Sequence, residues 1–166
     1  MKVLGIDPGS RACGFGLVDF TRGVLVALEF GVWREKEGPL SRRLEALFAQ
    51  AERFLAESRP DAVALETVFQ GRSVPAAVAL SHARGVVLLA AARAGLPTFQ
   101  YEPLTIKKSI TGYGRAEKPQ VREMVKSLLA FGPAAIPLDA ADALATAICH
   151  CHHAAGPGFD GRSAAC

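Results

Sequence analysis

The sequence predicts an α/β fold, a five-stranded mixed sheet flanked by helices, and three observations predict it. Three strand-like stretches follow one another at the start of the chain with only short turns between them, the pattern of an antiparallel meander. Two further short stretches, Asp61–Glu66 and Pro97–Tyr101, alternate with helical stripes, the pattern of parallel strands joined by crossovers. The chain has 166 residues, 50% of them hydrophobic, which suits one domain with a sizeable core.

The first strand is Lys2–Asp7. Val3, Leu4 and Ile6 favour extended backbone, and Pro8-Gly9 stops the strand directly after a carboxylate. Alternation puts Gly5 and Asp7 on one face and Leu4 and Ile6 on the other, so Gly5 is expected to leave open space for a bulky ligand beside the acid. Asp7 has two readings at this point, a functional acid or an Asp that bonds its own turn. Gly14–Phe20 and Val24–Trp33 complete the meander across a Thr-Arg-Gly turn, and Glu35–Pro39 breaks it. Leu40, Leu44, Leu47, Phe48, Ala51 and Leu55 then form a helical stripe that Arg59-Pro60 ends. Asp61–Glu66 reads as a strand buried on both faces with an acid at its last position. As a parallel neighbour of the first strand it brings Glu66 beside Asp7.

Thr67–Arg72 reads as a loop containing Phe69. Ser73 is expected to cap a helix with Pro75 in its first turn, running over 76–94 and ending at Gly95. That helix is rich in Ala and nearly uncharged, so it is expected to be buried or to pair with another helix; His82 within it reads as a partly buried helix residue. Thr105–Ile110 gives one or two helical turns and Thr111–Arg115 a flexible loop. Val121, Met124, Val125, Leu128 and Leu129 stripe a further helix, which Gly132-Pro133 terminates. The last helix, about Pro137 to His153, carries Asp139 and Asp142 on one face, with Leu138, Ala141, Ala145 and Ile148 apolar. Asp139 also suits a first turn, where the helix dipole favours negative charge; Asp142 has no nearby cation in sequence. One domain over residues 1–153 and a disordered tail over 154–166 are expected.

Composition narrows the function classes. No apolar run approaches the length of a membrane span, and residues 1–20 lack the apolar core of a signal peptide, so a cytoplasmic protein is expected. Cys13, Cys149, Cys151 and Cys166 are too few and too clustered for a disulfide framework. The net charge is +3, which permits a polyanionic partner without requiring one. Its distribution says more. Residues 100–130 carry Lys107, Lys108, Arg115, Lys118, Arg122 and Lys126 against Glu102, Glu117 and Glu123, which suits either a phosphate-holding surface or a solvated helix face.

Asp7, Glu66, Asp139 and Asp142 come from three elements that can meet at one sheet edge. Two bare carboxylates about 4 Å apart repel by roughly 4 kcal/mol at an effective dielectric near 20, so four together call for bridging cations. All-oxygen ligands suit Mg²⁺ or Mn²⁺. Two such ions about 3.5–4 Å apart support phosphodiester hydrolysis.

G-I-D-P-G-S-R at Gly5–Arg11, L-E-T-V-F at Leu65–Phe69, A-R-G-V at Ala83–Val86, G-Y-G-R-A-E-K at Gly112–Lys118 and D-A-A-D-A-L-A at Asp139–Ala145 resemble, in order, the RuvC family of Holliday-junction resolvases. The resemblance covers residues 1–153, and the full set of motifs is specific where the first alone is not. It implies an RNase H-like fold, a homodimer, Mg²⁺-dependent symmetric nicking of four-way junction DNA, and the branch-migration partners RuvA and RuvB. By position, Asp7, Glu66, Asp139 and Asp142 match the family's metal-binding acids, Lys107 and Lys118 its active-site lysines, and Phe69 its base-stacking aromatic. On its own residues Phe69 equally suits a core anchor. Arg72, Lys108 and Arg115 are expected DNA contacts, Arg72 and Lys108 without being motif positions. The helix over 76–94 resembles the family's dimer helix, where Gly85 lets two helices approach closely. Some members carry His in place of Asp139.

The run Cys149-His150-Cys151-His152-His153 invites a zinc reading but lacks a paired C-x-x-C and a second ligand cluster. His150 is a second-tier site candidate, about two helical turns beyond Asp142. The competing functions are a catalytically silent junction-binding module, which needs none of the four acids, a ribonuclease acting on RNA–DNA hybrids, and an actin-like ATPase, which needs two such domains.

Overall fold

A computed structural model describes residues 1–35, 37–67, 74–131 and 136–156. Its strands are β1 (Lys2–Asp7), β2 (Ala12–Thr21), β3 (Val24–Arg34), β4 (Ala62–Glu66) and β5 (Thr98–Tyr101). Its helices are α1 (Leu40–Ser58), α2 (Val74–Arg93), α3 (Pro103–Thr111), α4 (Lys118–Leu128) and α5 (Leu138–Ala154). The strands form one sheet in the order β3-β2-β1-β4-β5, antiparallel through the first three and parallel from β1 to β4 and from β4 to β5. This is the five-stranded mixed sheet expected.

The sheet separates two cores. On one face, Leu4, Ile6, Val63 and Leu65 pack against α1 and α2 through Leu47, Phe54, Val87 and Ala91. On the other, Val3, Val18 and Ala64 pack against α5, with α3 and α4 outside it. Alternation along β1 and β4 therefore sends Leu4, Ile6, Val63 and Leu65 to the first face and Val3, Gly5, Ala64, Asp7 and Glu66 to the second.

The space beside Gly5 is not left for a ligand. A β carbon there would stand 2.0 Å from the carbonyl oxygen of Ala143 and 2.6 Å from the amide nitrogen of Ala147, so the backbone of α5 fills it. Gly16, paired with Gly5 in register, lies under Leu144, and Gly14, paired with Asp7, lies under Asp139. Three glycines and two helix alanines thus bring α5 down onto the strands. Gly5 alone gave the wrong expectation because a missing side chain makes room for a ligand or for a helix equally well.

Other boundaries move for local reasons. The helix read as ending at Gly132-Pro133 ends at Leu128: Ala130 takes a left-handed conformation (φ 51°), and the N–H of Phe131 reaches back to the carbonyl of Lys126 at 2.9 Å. Met124 is exposed, while Val121, Val125 and Leu129 carry the burial of that stripe. Leu138, read as part of the apolar face of the last helix, is exposed in the first turn of α5. His82 is exposed on α2 rather than partly buried. The segment 111–115, read as a flexible loop, is a turn in which Thr111 Oγ1 accepts the N–H of Tyr113 and the carbonyl of Tyr113 accepts the N–H of Ala116. Ser73, Phe69, Arg72 and residues 157–166 of the expected tail lie outside the described residues.

Candidate functional site

Parallel pairing of β1 and β4 sets Ile6 beside Leu65, so the next residue on each strand, Asp7 and Glu66, ends its strand at the same sheet edge. Helix α5 crosses this edge with its first turns, adding Asp139 and Asp142. The four acids gather as their strand ends and helix face require.

Asp7, Glu66, Asp142, Lys107 and Lys118 line one cavity of about 360 Å³, whose floor includes Ile106 and Val121. Burial, then the negative charges of Asp142, Glu66 and Asp139, push the carboxyl of Asp7 up from 3.8 to about 7, against the opposing pull of Lys118. No hydrogen bond from its own turn reaches Asp7 among the described residues, so the turn-bonding reading fails. Asp139 does not line the cavity but adds its field to Asp7 from the first turn of α5.

Lys118 supplies the nearest positive charge. Its Nζ donates to Asp142 Oδ2 at 2.9 Å, and that bond first, opposed by burial, holds its pKa above the ordinary lysine value. Lys118 opens α4, where the helix dipole disfavours a cation. The turn is nevertheless fixed by a capping box: the side chain of Glu117 accepts from the backbone at Gln120, and Gln120 Oε1 accepts the N–H of Glu117 at 3.0 Å. At this unfavourable helix end, Lys118 is bonded to Asp142 and lies in the field of Asp7 and Glu66, so it brings positive charge to the acids.

The donor set fits a hard divalent cation in kind: it is all carboxylate, and its crowding already holds one member far from its ordinary pKa. Among the described residues no three His, Cys, Asp or Glu side chains converge on a single metal position, and the ammonium of Lys118 offsets part of the charge.

Lys108 and Arg115 stand outside this cavity. They line an adjoining groove with Leu104, which forms part of both walls. His150 is not at the cavity. It is fully buried, its Nδ1 lies 2.7 Å from the hydroxyl of Tyr101, its ring lies against Phe99, and burial, then His153, lowers its pKa to about 4. In the zinc run, Cys149 Sγ lies 3.6 Å from Nδ1 of His153, which also meets the carbonyl of Cys149 at 2.8 Å, while burial raises the thiols of Cys149 and Cys151 to about 12. Both thiols are packed and protonated.

Gly14 and Gly16 were missed as supports of the site. The signal was present: glycines two apart on one strand face, opposite Gly5 and Asp7, and alanines four apart on α5.

Residues 3–150 match the family described as Crossover junction endodeoxyribonuclease RuvC. The protein of that name from Desulfitobacterium hafniense (strain DSM 10664 / DCB-2) is 43% identical over 153 residues, covering 92% of this chain and 93% of its own. The one from Halorhodospira halophila (strain DSM 244 / SL1) is 46% identical over 158 residues, covering 94% and 93%. Among solved structures, Thermus thermophilus RuvC in complex with Holliday junction substrate superposes with a TM-score of 0.87 at 35% identity, covering 93% of this chain and 94% of that one.

Proposed function

The chain belongs to the RuvC family of crossover junction endodeoxyribonucleases, with its RNase H-like fold, and from that membership we propose how its residues cut DNA. It is a nuclease that resolves Holliday junctions in DNA recombination. The observation that carries the site assignment is the single cavity shared by Asp7, Glu66, Asp142, Lys107 and Lys118.

Asp7, Glu66, Asp139 and Asp142 would hold divalent ions, two of Mg²⁺ with Mn²⁺ able to replace it. Bound there, such ions activate water and offset the charge of the phosphate and the leaving oxygen. The lysines do the rest. Lys107 on α3 and Lys118 on α4 both line the cavity and together hold the scissile phosphate. Water adds to phosphorus as the opposite ester oxygen leaves, and Lys118, released from Asp142, meets the charge that develops on the phosphate. Ile106 and Val121 keep the floor apolar, which strengthens each of these interactions.

Paired symmetric nicks need two cavities. Helix α2 supports a homodimer: Val74, Val78, Gly85 and Leu89 recur at helical spacing on an exposed face, while Ala83, Val87, Ala90 and Ala91 face the core. A β carbon at Gly85 would meet nothing within 4 Å among the described residues, which leaves room for a partner helix. Phe69 and Arg72, in the segment joining β4 to α2, are assigned to the junction by motif and charge. RuvA and RuvB as partners follow from family membership. No helix of the described residues is long and apolar enough to cross a membrane, and the cytoplasm is the proposed location.

The test is cleavage of a labelled synthetic four-way junction beside linear duplex and RNA–DNA hybrid, in Mg²⁺ or chelator, by the wild type and Glu66→Gln. Paired nicks confined to the junction, dependent on metal and lost in Glu66→Gln while binding survives, are expected. Binding without cleavage in either metal would leave a silent junction-binding module, and preferential cutting of the hybrid a ribonuclease.

A further inference from the structure

The groove beside the acidic cavity is built on a fixed turn. Helix α3 ends at Thr111, and Gly112, with φ 76°, closes it by donating its N–H to the carbonyl of Lys108 at 2.9 Å. Oγ1 of Thr111 lies 2.9 Å from the carbonyl oxygens of both Lys107 and Tyr113 and accepts the N–H of Tyr113 at 3.2 Å. The carbonyl of Tyr113 in turn accepts the N–H of Ala116 at 3.2 Å. Gly114 sits against Leu104, where a β carbon would stand 3.3 Å from the carbonyl oxygen. The turn is thereby tied to the helix that carries Lys107 and Lys108.

This turn presents an aromatic ring to solvent. Tyr113 is 60% exposed and Leu104 52% exposed, two large apolar groups side by side in a groove of about 500 Å³. The remaining side chains with charge in its lining are Lys108 and Arg115, both exposed, and neither forms an ion pair with a described residue. No acid lines it. An exposed ring and an apolar side chain sharing one groove with two cations match the two halves of a nucleotide: a flat base or sugar face and a phosphate. Because Leu104 belongs to both walls, the groove begins where the cavity with Asp7 and Glu66 ends.

We propose that Leu104, Lys108, Tyr113 and Arg115 form a nucleotide subsite that takes a residue flanking the scissile phosphate, with Tyr113 stacking on its base and Lys108 and Arg115 holding its phosphate. The subsite rests on the junction-nuclease reading, since it is the cut strand that passes from cavity to groove. Stacking on Tyr113 is tolerant of base identity, and it fixes the strand so that the target phosphate stays between Lys107 and Lys118.

The experiment uses the full-length protein and a four-way junction carrying 5-iodouracil at successive positions on either side of the nick, held in chelator so that the strands stay intact, and irradiated. The expected result is a crosslink at one flanking position, mapped by mass spectrometry to the peptide containing residue 113, lost in Tyr113→Ala and kept in Tyr113→Phe. Junction affinity falls roughly tenfold in Tyr113→Ala, the scale of one base stacked on one ring. In Arg115→Gln the slope of log affinity against log salt becomes shallower by about one, while the crosslink stays. No crosslink to residue 113 at any position, with affinity of Tyr113→Ala within twofold of the wild type, overturns the subsite while leaving junction cleavage standing. A wild type that neither binds nor cuts the junction removes the parent reading and the subsite with it. Thermal melting of each variant, expected to be unchanged because Tyr113 and Arg115 are exposed, separates lost contact from lost fold.

Discussion

A β carbon at Gly14 would stand 2.0 Å from the carbonyl oxygen of Asp139, so the strand beside Asp7 sets the height of the helix that carries two of the four acids. Gly14→Ala must push back α5 or distort β2. Overpacking of this kind costs about 1–3 kcal/mol, and the displaced acids should lower cleavage beyond what the lost stability explains. Gly85→Ala is the control when both are compared in solution dilute enough to hold monomer: its β carbon meets nothing within 4 Å among the described residues, and a helical Gly-to-Ala change favours folding by about 1 kcal/mol. Urea unfolding of both variants checks the difference in sign.

Lys118 and Asp142 separate stability from chemistry. Their 2.9 Å ion pair is largely solvated on the lysine side, and exposed pairs contribute about 0–1 kcal/mol. Lys118→Met should therefore melt within a few degrees of the wild type. Loss of one preorganised charge aimed at a developing oxyanion costs about 10²–10³ in rate. Single-turnover cleavage at saturating junction measures it; a rate within threefold of the wild type would remove Lys118 from the chemistry.

Asp7 makes stability depend on pH in the absence of metal. Its carboxyl titrates near 7 in the folded protein against 3.8 when solvated, so the folded state binds the proton more tightly. The stabilisation this gives is full below about pH 4 and is lost as pH rises to about 7. In chelator the wild type should melt at progressively lower temperature across that window. Asp7→Asn should lack this part of the slope, melt higher than the wild type at pH 8, and lose most of the stabilisation that Mg²⁺ gives. A melting temperature in Asp7→Asn at or below that of the wild type at pH 8 would mean the acids are not in conflict.

Much of this site was legible in the sequence because its chemistry sits where local rules are strong. Pro8-Gly9 ends a strand at Asp7, and the strand, helix, strand order puts Glu66 at the matching end, so the pairing of those acids needed only the register. Asp139 and Asp142 share a face by helical spacing alone. What was not legible depends on packing between distant elements. Whether Gly5 faces a ligand or a helix, or Leu138 faces core or solvent, is decided by where α5 lies. The end of α4 was hidden for another reason: Ala130 takes a left-handed conformation that Gly132 advertises and alanine does not.

The unpartnered face of α2 predicts what a charge there would do. Leu89 is 55% exposed within one chain, so Leu89→Arg should leave the fold and its melting in dilute solution nearly unchanged. Between two copies it would bury an unpaired cation, and sedimentation should find a dimer for the wild type and monomer for the variant. Junction cleavage should fall in parallel, with single nicks replacing paired ones. A wild-type dimer that survives Leu89→Arg would move the interface off this helix.

Tyr101 and His150 test whether the second half of α5 belongs to the chemistry or to the core. The hydroxyl of Tyr101 lies 2.7 Å from Nδ1 of His150, an imidazole that burial first, then His153, holds near pKa 4. His150 is neutral at physiological pH and shares that bond with the Tyr101 hydroxyl. The folded state thus binds a proton less readily than the unfolded one, whose imidazole titrates near 6.5, and stability should fall as pH drops from about 6.5 to about 4. The NMR signals of His150 should titrate at the bottom of that window. Tyr101→Phe removes a buried hydrogen bond and should cost about 0.5–1.5 kcal/mol, while cleavage per folded molecule stays at the wild-type rate because neither residue lines the acidic cavity. A tenfold loss of cleavage in a variant that remains folded would instead bring His150 into the reaction, acting along α5 on Asp142.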